Sequence, residues 1–499
     1  MDINGIPVER ASIAQIQGAL FTAELACTTL VDHFRKRIEQ YDQQGPTLNA
    51  VVTLNENALA EAEALDQLLN NGGQPIGPLH GIPVVIKDCL ETTDMPTSFG
   101  SEVFADYMAS EDAVVVQRLR EAGAIIVAKT TLPDWATSWF AYSSRSGETR
   151  NPYKLEHDPG GSSGGTGAAV SAAYATVGLG TDCGGSVRLP SSFCNLVGMR
   201  ATPGMMSRRG CNPLVGVQDT IGPMGRSVED VARVFDVICG HDPLDPLTVA
   251  CSIAKPPPSY LHCLRPNNLQ GRRVGVVRNA HGSDENEFSA PVNDVMRSAY
   301  AQLSAGGATL VDIEIPDLLE QLVNTSLYIL KSKDDINAFL AERPHAPANA
   351  LDEIMNAGRY HKMLDLLEAI AAGPDDPDND LEYHRAYHAR EAFMRLVVGL
   401  MDSDQLDALV YPTCQVVPPT RAACDSGQWP TLEFPTNTLI GSQTWMPAMT
   451  VPAGLSDSGL PVGLEILARP YDEATVFSVA YGFEQVRGHQ CHPASVPLL

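Results

Sequence analysis

Apolar positions recur along this chain in two rhythms. At intervals of three and four they mark helices, and in short unbroken runs they mark buried strands. Ser12 stands where it can cap a first helix over residues 13–20. A second helix is predicted from Thr22 or Ala23 to about Tyr41, with Leu25, Leu30, Phe34 and Ile38 on one face. A third, over 56–69, closes at Asn71-Gly72-Gly73. Residues 1–75 are thus expected to be a helical scaffold packed on the main body.

Then Pro83-Val84-Val85-Ile86 runs straight into Lys87. A short β-branched run reads as a buried strand, which places Lys87 at the end of a core element. A helix over 112–122 and a strand over 124–128 lead to a second lysine, Lys129. Two glycine-flanked serine segments follow: Gly160-Gly161-Ser162-Ser163-Gly164-Gly165 and Gly180-Thr181-Asp182-Cys183-Gly184-Gly185-Ser186-Val187-Arg188. Glycine lets the backbone turn to positive φ or approach another group closely. Between them, 166–175 reads as a tightly packed helix and 177–181 as a short strand. Both serines can therefore meet at one end of a sheet.

Ser227 caps a further helix, and residues 241–271 are Pro-rich and irregular. Strands are predicted at 273–277, 309–313, 408–410, 448–451 and 462–467, with helices at 291–304 and 473–486. Residues 318–403 read as a mostly helical insertion on the substrate side, interrupted at 373–380. No internal repeat is visible. The alternation predicts an α/β fold: a single large domain, 1–499, with a central mixed, mostly parallel β-sheet covered by helices on both faces. Residues 76–240 would form its catalytic core.

Composition narrows the function. Apolar residues make up 44% and charged residues 19% of the 499, as in a globular protein. A net charge of −26 argues against nucleic acid or an anionic membrane as partner. No apolar run approaches the ~20 residues that span a bilayer, and no basic-then-apolar leader opens the chain. Eleven scattered cysteines without a CxxC pair suggest a reduced, cytoplasmic protein. His384 and His388 share a helix face, but Arg385 stands where a zinc-protease motif needs Glu. The acidic run at 375–380 lacks the Gly and terminal Glu of a calcium loop. Neither metal nor cofactor is expected.

A serine hydroxyl needs a base to become a nucleophile. None of the twelve histidines lies in the glycine-rich segments, and there is no G-x-S-x-G elbow. The alternative base is a lysine kept neutral by burial, and Lys87 fits. Ser162 could pass the proton from Ser186, and glycines before Ser186 leave N–H groups free to stabilise an oxyanion.

These segments, with Pro83 to Asp88, Arg200-Ala201-Thr202-Pro203 and Gly459-Leu460-Pro461-Val462-Gly463, resemble the amidase signature family over most of the chain. The resemblance implies a Ser–cis-Ser–Lys triad: Ser186 as nucleophile, Ser162 as bridge after a cis Gly161–Ser162 bond, and Lys87 as base. It implies an oxyanion hole from the N–H groups of Cys183, Gly184, Gly185 and Ser186, with Ser163, Asp182 and Arg188 in support. Cys183 departs from the Thr or Ile common in relatives, and Met199-Arg200-Ala201-Thr202-Pro203 departs from Leu-Lys-Pro-Thr. Trp135, Trp139, Phe140 and Tyr142, with Trp429 and Trp445, are candidate walls of an apolar or aromatic substrate pocket. The expectation is a cofactor-free amidase for a small-molecule amide. Alternatives are a carbamate (urethane) or aryl-ester hydrolase, the A-type component of a tRNA-dependent amidotransferase, and a silent binding protein. A homodimer is the base-rate expectation.

Overall fold

The computed structural model describes every residue except Asn4, His489 and Gln490. Among these, one sheet of eleven strands runs through the molecule. In chain order they are β1 (Val51–Leu54), β2 (Pro83–Lys87), β3 (Ile125–Thr130), β4 (Val177–Asp182), β5 (Val197–Arg200), β6 (Thr220–Gly225), β7 (Arg273–Val277), β8 (Thr309–Ile313), β9 (Ala408–Pro412), β10 (Ala448–Leu455) and β11 (Pro461–Leu467). In space the order is β8-β7-β9-β11-β10-β5-β6-β4-β2-β3-β1. Helices cover the sheet, and the predicted single α/β domain with a mixed sheet is what the chain forms.

The balance within the sheet differs from expectation. Parallel pairing is confined to β2 with β3 and β4, and β7 with β8 and β9. The other six pairings are antiparallel. Parallel neighbours need a long crossover, whereas β10 and β11 are joined by a tight turn that can only bring the chain back antiparallel. The parallel strand β2 is buried at all five positions, which is why its sequence shows no alternation.

β5 and β6 lie where the sequence carries no strand signal. Glycine and proline at 198, 222, 223 and 225 hide their strand character. The glycines are there for space. A Cβ on Gly198 would lie 2.2 Å from the Ser191 hydroxyl, and one on Gly222 2.0 Å from the Met199 carbonyl.

The N-terminal region is only partly the helical scaffold expected. Its helices are Ile13–Phe21, Cys27–Ile38 and Ala58–Asn70, but Val51–Leu54 leaves them to form the sheet edge against β3. The first helix has a full capping box: Ser12 Oγ accepts from Gln15 N, and the Gln15 carboxamide from Ser12 N. The second starts later than predicted. Its first N–H groups, on Cys27 and Thr28, donate to the Asp66 carboxylate at 2.7 and 3.0 Å. That cap comes from the third helix, so no local signal reveals it.

Residues 318–403 carry the helices Leu318–Asn324, Tyr328–Ala341, Leu351–Asn356, Asp365–Ala371 and Leu381–Ser403, with breaks at 342–350 and 357–364 besides the one near 373–380. Two of them, Tyr328–Ala341 and Leu381–Ser403, reach back over the β4 end. No helix among the described residues is long and apolar enough to cross a membrane.

Candidate active site

The β2 run ends on Lys87, whose side chain is fully buried. Its Nζ lies 2.7 Å from Ser162 Oγ and 2.8 Å from Thr181 Oγ1. Burial pushes the Lys87 ammonium below its ordinary value, against weaker opposing pulls from Cys89, Cys211, Asp182 and Asp219. The second strand-end lysine is different. Lys129 is 2.9 Å from the Asp88 carboxylate, which keeps its charge neutralised.

Ser162 follows a cis Gly161–Ser162 peptide bond. The glycine-rich turn carrying it packs tightly: a Cβ on Gly161 would meet the Ser138 carbonyl at 2.7 Å. Next to it, the Ser163 hydroxyl is 3.3 Å from both the N–H and the C=O of Thr181. The Ser163 N–H donates to the Ser186 carbonyl at 3.1 Å, tying the two serine segments together. The Ser186 hydroxyl makes no direct hydrogen bond to Ser162 among the described residues.

The segment between β4 and the helix Arg188–Phe193 is held from both sides. Gly185 sits at φ +145, and a Cβ there would lie 2.0 Å from Thr438 Oγ1. The N–H groups of Cys183, Gly184, Gly185 and Ser186 donate to no protein acceptor among the described residues, so the turn presents a row of free donors. The Cys183 thiol is buried and pushed well up, which leaves it protonated. Its carbonyl instead accepts from Gln218 Nε2 at 2.6 Å and Arg200 Nη1 at 3.2 Å.

Below this turn lies a buried charge cluster. Arg188 holds Asp182 with Nε and Nη2 at 3.0 Å each, Arg200 adds a contact at 2.9 Å, and Arg188 also pairs with Glu465 of β11. Burial pushes the Asp182 carboxyl up, but Arg188 and Arg200 outweigh it and hold it well below the usual carboxylate range. Burial raises Glu465 to about 7 in spite of Arg188. The predicted supports Ser163, Asp182 and Arg188 are thus brought to the serine turn. Sequence reasoning missed Thr181, Gln218, Arg390 and Glu465. Glu465 carried a signal, as one acid inside an apolar strand needs a buried partner. Gln218 and Arg390 had none. Arg390, from Leu381–Ser403, reaches the Gln218 carboxamide and so braces the serine turn through Cys183.

Ser186 lines a narrow cavity of about 10 Å³, close to the space one water takes. Its walls are Trp139, Tyr328, Leu214, Leu366, Leu432 and Gly184, with no charged side chain. A larger cleft of about 470 Å³ lies elsewhere, between Glu91, Arg208 and Arg343, and neither Ser162 nor Ser186 lines it. Of the expected aromatic walls, only Trp139 lines the Ser186 cavity, its Nε1 donating to the Thr431 carbonyl at 2.9 Å. Trp135 is fully buried and stacked on Phe99, Phe140 packs edge-on against Phe434, and Tyr142 bonds Asp425 under the Arg421 guanidinium. Trp429 packs on Phe288 and Phe434, and Trp445 on Tyr387. A cluster of aromatics in sequence does not say which rings face a cavity, and most of these serve packing.

Gly184 offers a direct test of this wall. A Cβ there would fall 1.9 Å from the Tyr328 hydroxyl and 2.8 Å from the Trp139 ring. Gly184→Ala should slow amide turnover about a hundredfold, the effect of roughly 1 Å of misplacement. Adding Tyr328→Phe, which removes the nearest atom, should recover part of the rate. A Gly184→Ala enzyme of normal kcat would show that the turn tolerates displacement.

Comparison with known proteins fits this geometry. The Amidase family model matches residues 29–477. The A-type component of the glutamyl-tRNA(Gln) amidotransferase of Oleidesulfovibrio alaskensis is 36% identical over 95% of both chains. The peptide amidase structure from Stenotrophomonas maltophilia superposes with TM-score 0.85 at 32% identity, covering 97% of this chain and 98% of that one. The corresponding amidotransferase component from Thermotoga maritima superposes at TM-score 0.75 and 26% identity, covering 96% and 95%. The chain belongs to the amidase signature family, enzymes that act on amide C–N bonds.

Proposed function

We propose that Ser186 is the nucleophile of an amide-cleaving acyl-transfer reaction, with Ser162 as proton bridge and Lys87 as base. The single observation that carries this reading is the buried, unpaired Lys87 amine at 2.7 Å from Ser162, behind a serine that opens into a cavity. A neutral amine has one lone pair to accept the Ser162 proton and N–H groups to donate to Thr181. Ser162 then takes the proton of Ser186 as the oxygen attacks the carbonyl carbon. That last hydrogen bond forms with substrate in place, since catalytic hydrogen bonds commonly tighten only in the Michaelis complex. The free N–H groups at 183–186 receive the oxyanion, worth roughly 3 kcal/mol per donor. The proton returns through Ser162 to the leaving nitrogen, and water cleaves the acyl-enzyme.

Two fates for the released nitrogen are compatible with this chemistry. Relatedness favours the amidotransferase reading: relatives with that name share 30% to 36% identity along nearly the whole chain. In that reading a partner protein takes the ammonia released from a primary amide. The uncharged cavity walls favour a free-standing amidase for a small apolar or aromatic amide, because a free amino acid such as glutamine would bring two charges with no partner there. The experiment is turnover by the purified chain alone, glutamine against an apolar primary amide and an anilide. Rapid release of amine from the apolar substrates supports the free-standing amidase. Glutamine turnover that rises on adding partner proteins supports the amidotransferase reading. Failure of all substrates to acylate Ser186 would sink the shared mechanism.

A further inference from the structure

We propose that Cys89 and Cys211 are an oxidisable thiol pair whose disulfide, formed by a hydroperoxide, disables the Lys87 site. The proposal rests on Lys87 serving as the base. Cys89 lies two residues beyond Lys87 and is fully buried. Its backbone runs beside Cys211: Leu90 and Cys211 form an antiparallel bridge, flanked by Glu91 N to Gly210 O at 2.8 Å and Asn212 N to Cys89 O at 3.4 Å. The bridge sets Leu90 opposite Cys211, so Cys89 stands one position from the residue facing Cys211, on a neighbouring backbone. The Cys211 thiol donates to the Asn212 carbonyl at 3.5 Å, and each of the two cysteines shifts the other's titration. Cys89 Sγ also touches Thr181 Oγ1 at 3.7 Å, the oxygen that accepts from Lys87.

Access comes through the larger cleft, which the mechanism leaves unused. Cys211 lines it and is 8% exposed. Burial pushes the Cys89 thiol up, but the neighbouring Cys211 outweighs it and brings it below its ordinary value. One sulfur attacks a peroxide oxygen, the O–O bond breaks, and the departing hydroxide takes the thiol proton as water. The second sulfur displaces the hydroxyl of the resulting sulfenic acid, which leaves as a second water. Two thiols and one hydrogen peroxide thus become one disulfide and two waters. Closing the S–S bond draws Cys89 away from Thr181 and loosens the oxygen that orients the Lys87 amine.

The test uses the full chain treated with hydrogen peroxide, blocked with N-ethylmaleimide and mapped by mass spectrometry. Fluorophosphonate labelling of Ser186 is followed alongside. The expected result is a cross-linked pair of peptides around 89 and 211, two hydrogens lighter. Labelling should be slowed about tenfold, as for one lost hydrogen bond, and restored by dithiothreitol. Cys211→Ser should label at the untreated rate and resist peroxide, with Cys211→Ala as a second variant should the first fold poorly. Cys239→Ser, which changes a half-buried thiol elsewhere in the chain, should stay sensitive. Equal inactivation of the Cys211 variants, or a cross-link that leaves labelling unchanged, overturns the proposal. The cross-link is read by mass alone, so absence of labelling in reduced protein would count against Ser186 and not against the pair.

Discussion

Ser186→Ala should abolish fluorophosphonate labelling and cut amide turnover by on the order of a million-fold, as removal of a serine nucleophile does elsewhere. The fold should scarcely notice. The Ser186 hydroxyl lines a cavity, and the turn is fixed by backbone contacts and by Arg188, Arg200 and Gln218. A stability change within about 0.5 kcal/mol is expected for so small a truncation away from packing contacts. The measurement is labelling followed by peptide mapping, with thermal unfolding as control. A label that persists on the 183–188 peptide in Ser186→Ala protein would refute the assignment.

Lys87→Met should carry the second largest effect. Methionine fills much the same volume but has no lone pair on nitrogen, so acylation should fall by about 10³ to 10⁴, the usual yield of a positioned base. Two hydroxyls, on Ser162 and Thr181, lose a partner, and stability should drop by about 1–3 kcal/mol. The pH profile separates base from scaffold. The reactive form is the neutral amine, and burial lowers the Lys87 value below 10.5. Wild-type acylation should therefore rise with pH as Lys87 loses its proton and level off above that point. In Lys87→Met the residual rate should lack this limb. A wild-type profile with no rising limb would place the base elsewhere.

The residues of the proposed chemistry drew notice in the sequence because each sits in a local pattern that physical chemistry singles out. A lysine after four apolar residues has little room to reach water, and serines between glycines are built for exposure or close approach. What escaped was long-range. The pairing of Arg188 with Glu465 spans 277 positions, and the Cys27 cap comes from Asp66. Strands β5 and β6 escaped because steric need for glycine overrode strand propensity. The aromatic stretch misled because Trp135 stands at φ 55 in a tight turn that rotates its ring into the core beside Phe99 and Phe104. Only Trp139, four residues on, faces the cavity.

The placement of Glu465 bears on how this molecule matures. All three proposed reactive groups are encoded before residue 190, yet the carboxylate that completes Arg188 arrives with β11, the last strand of the sheet in chain order, and Arg390 arrives with the late helix. A nascent fragment holding the serines alone would bury a guanidinium one counter-ion short, with the β5 edge still waiting for β10. Competence therefore waits for the strand that carries Glu465, and truncation ahead of β11 should silence a nucleophile synthesised long before it.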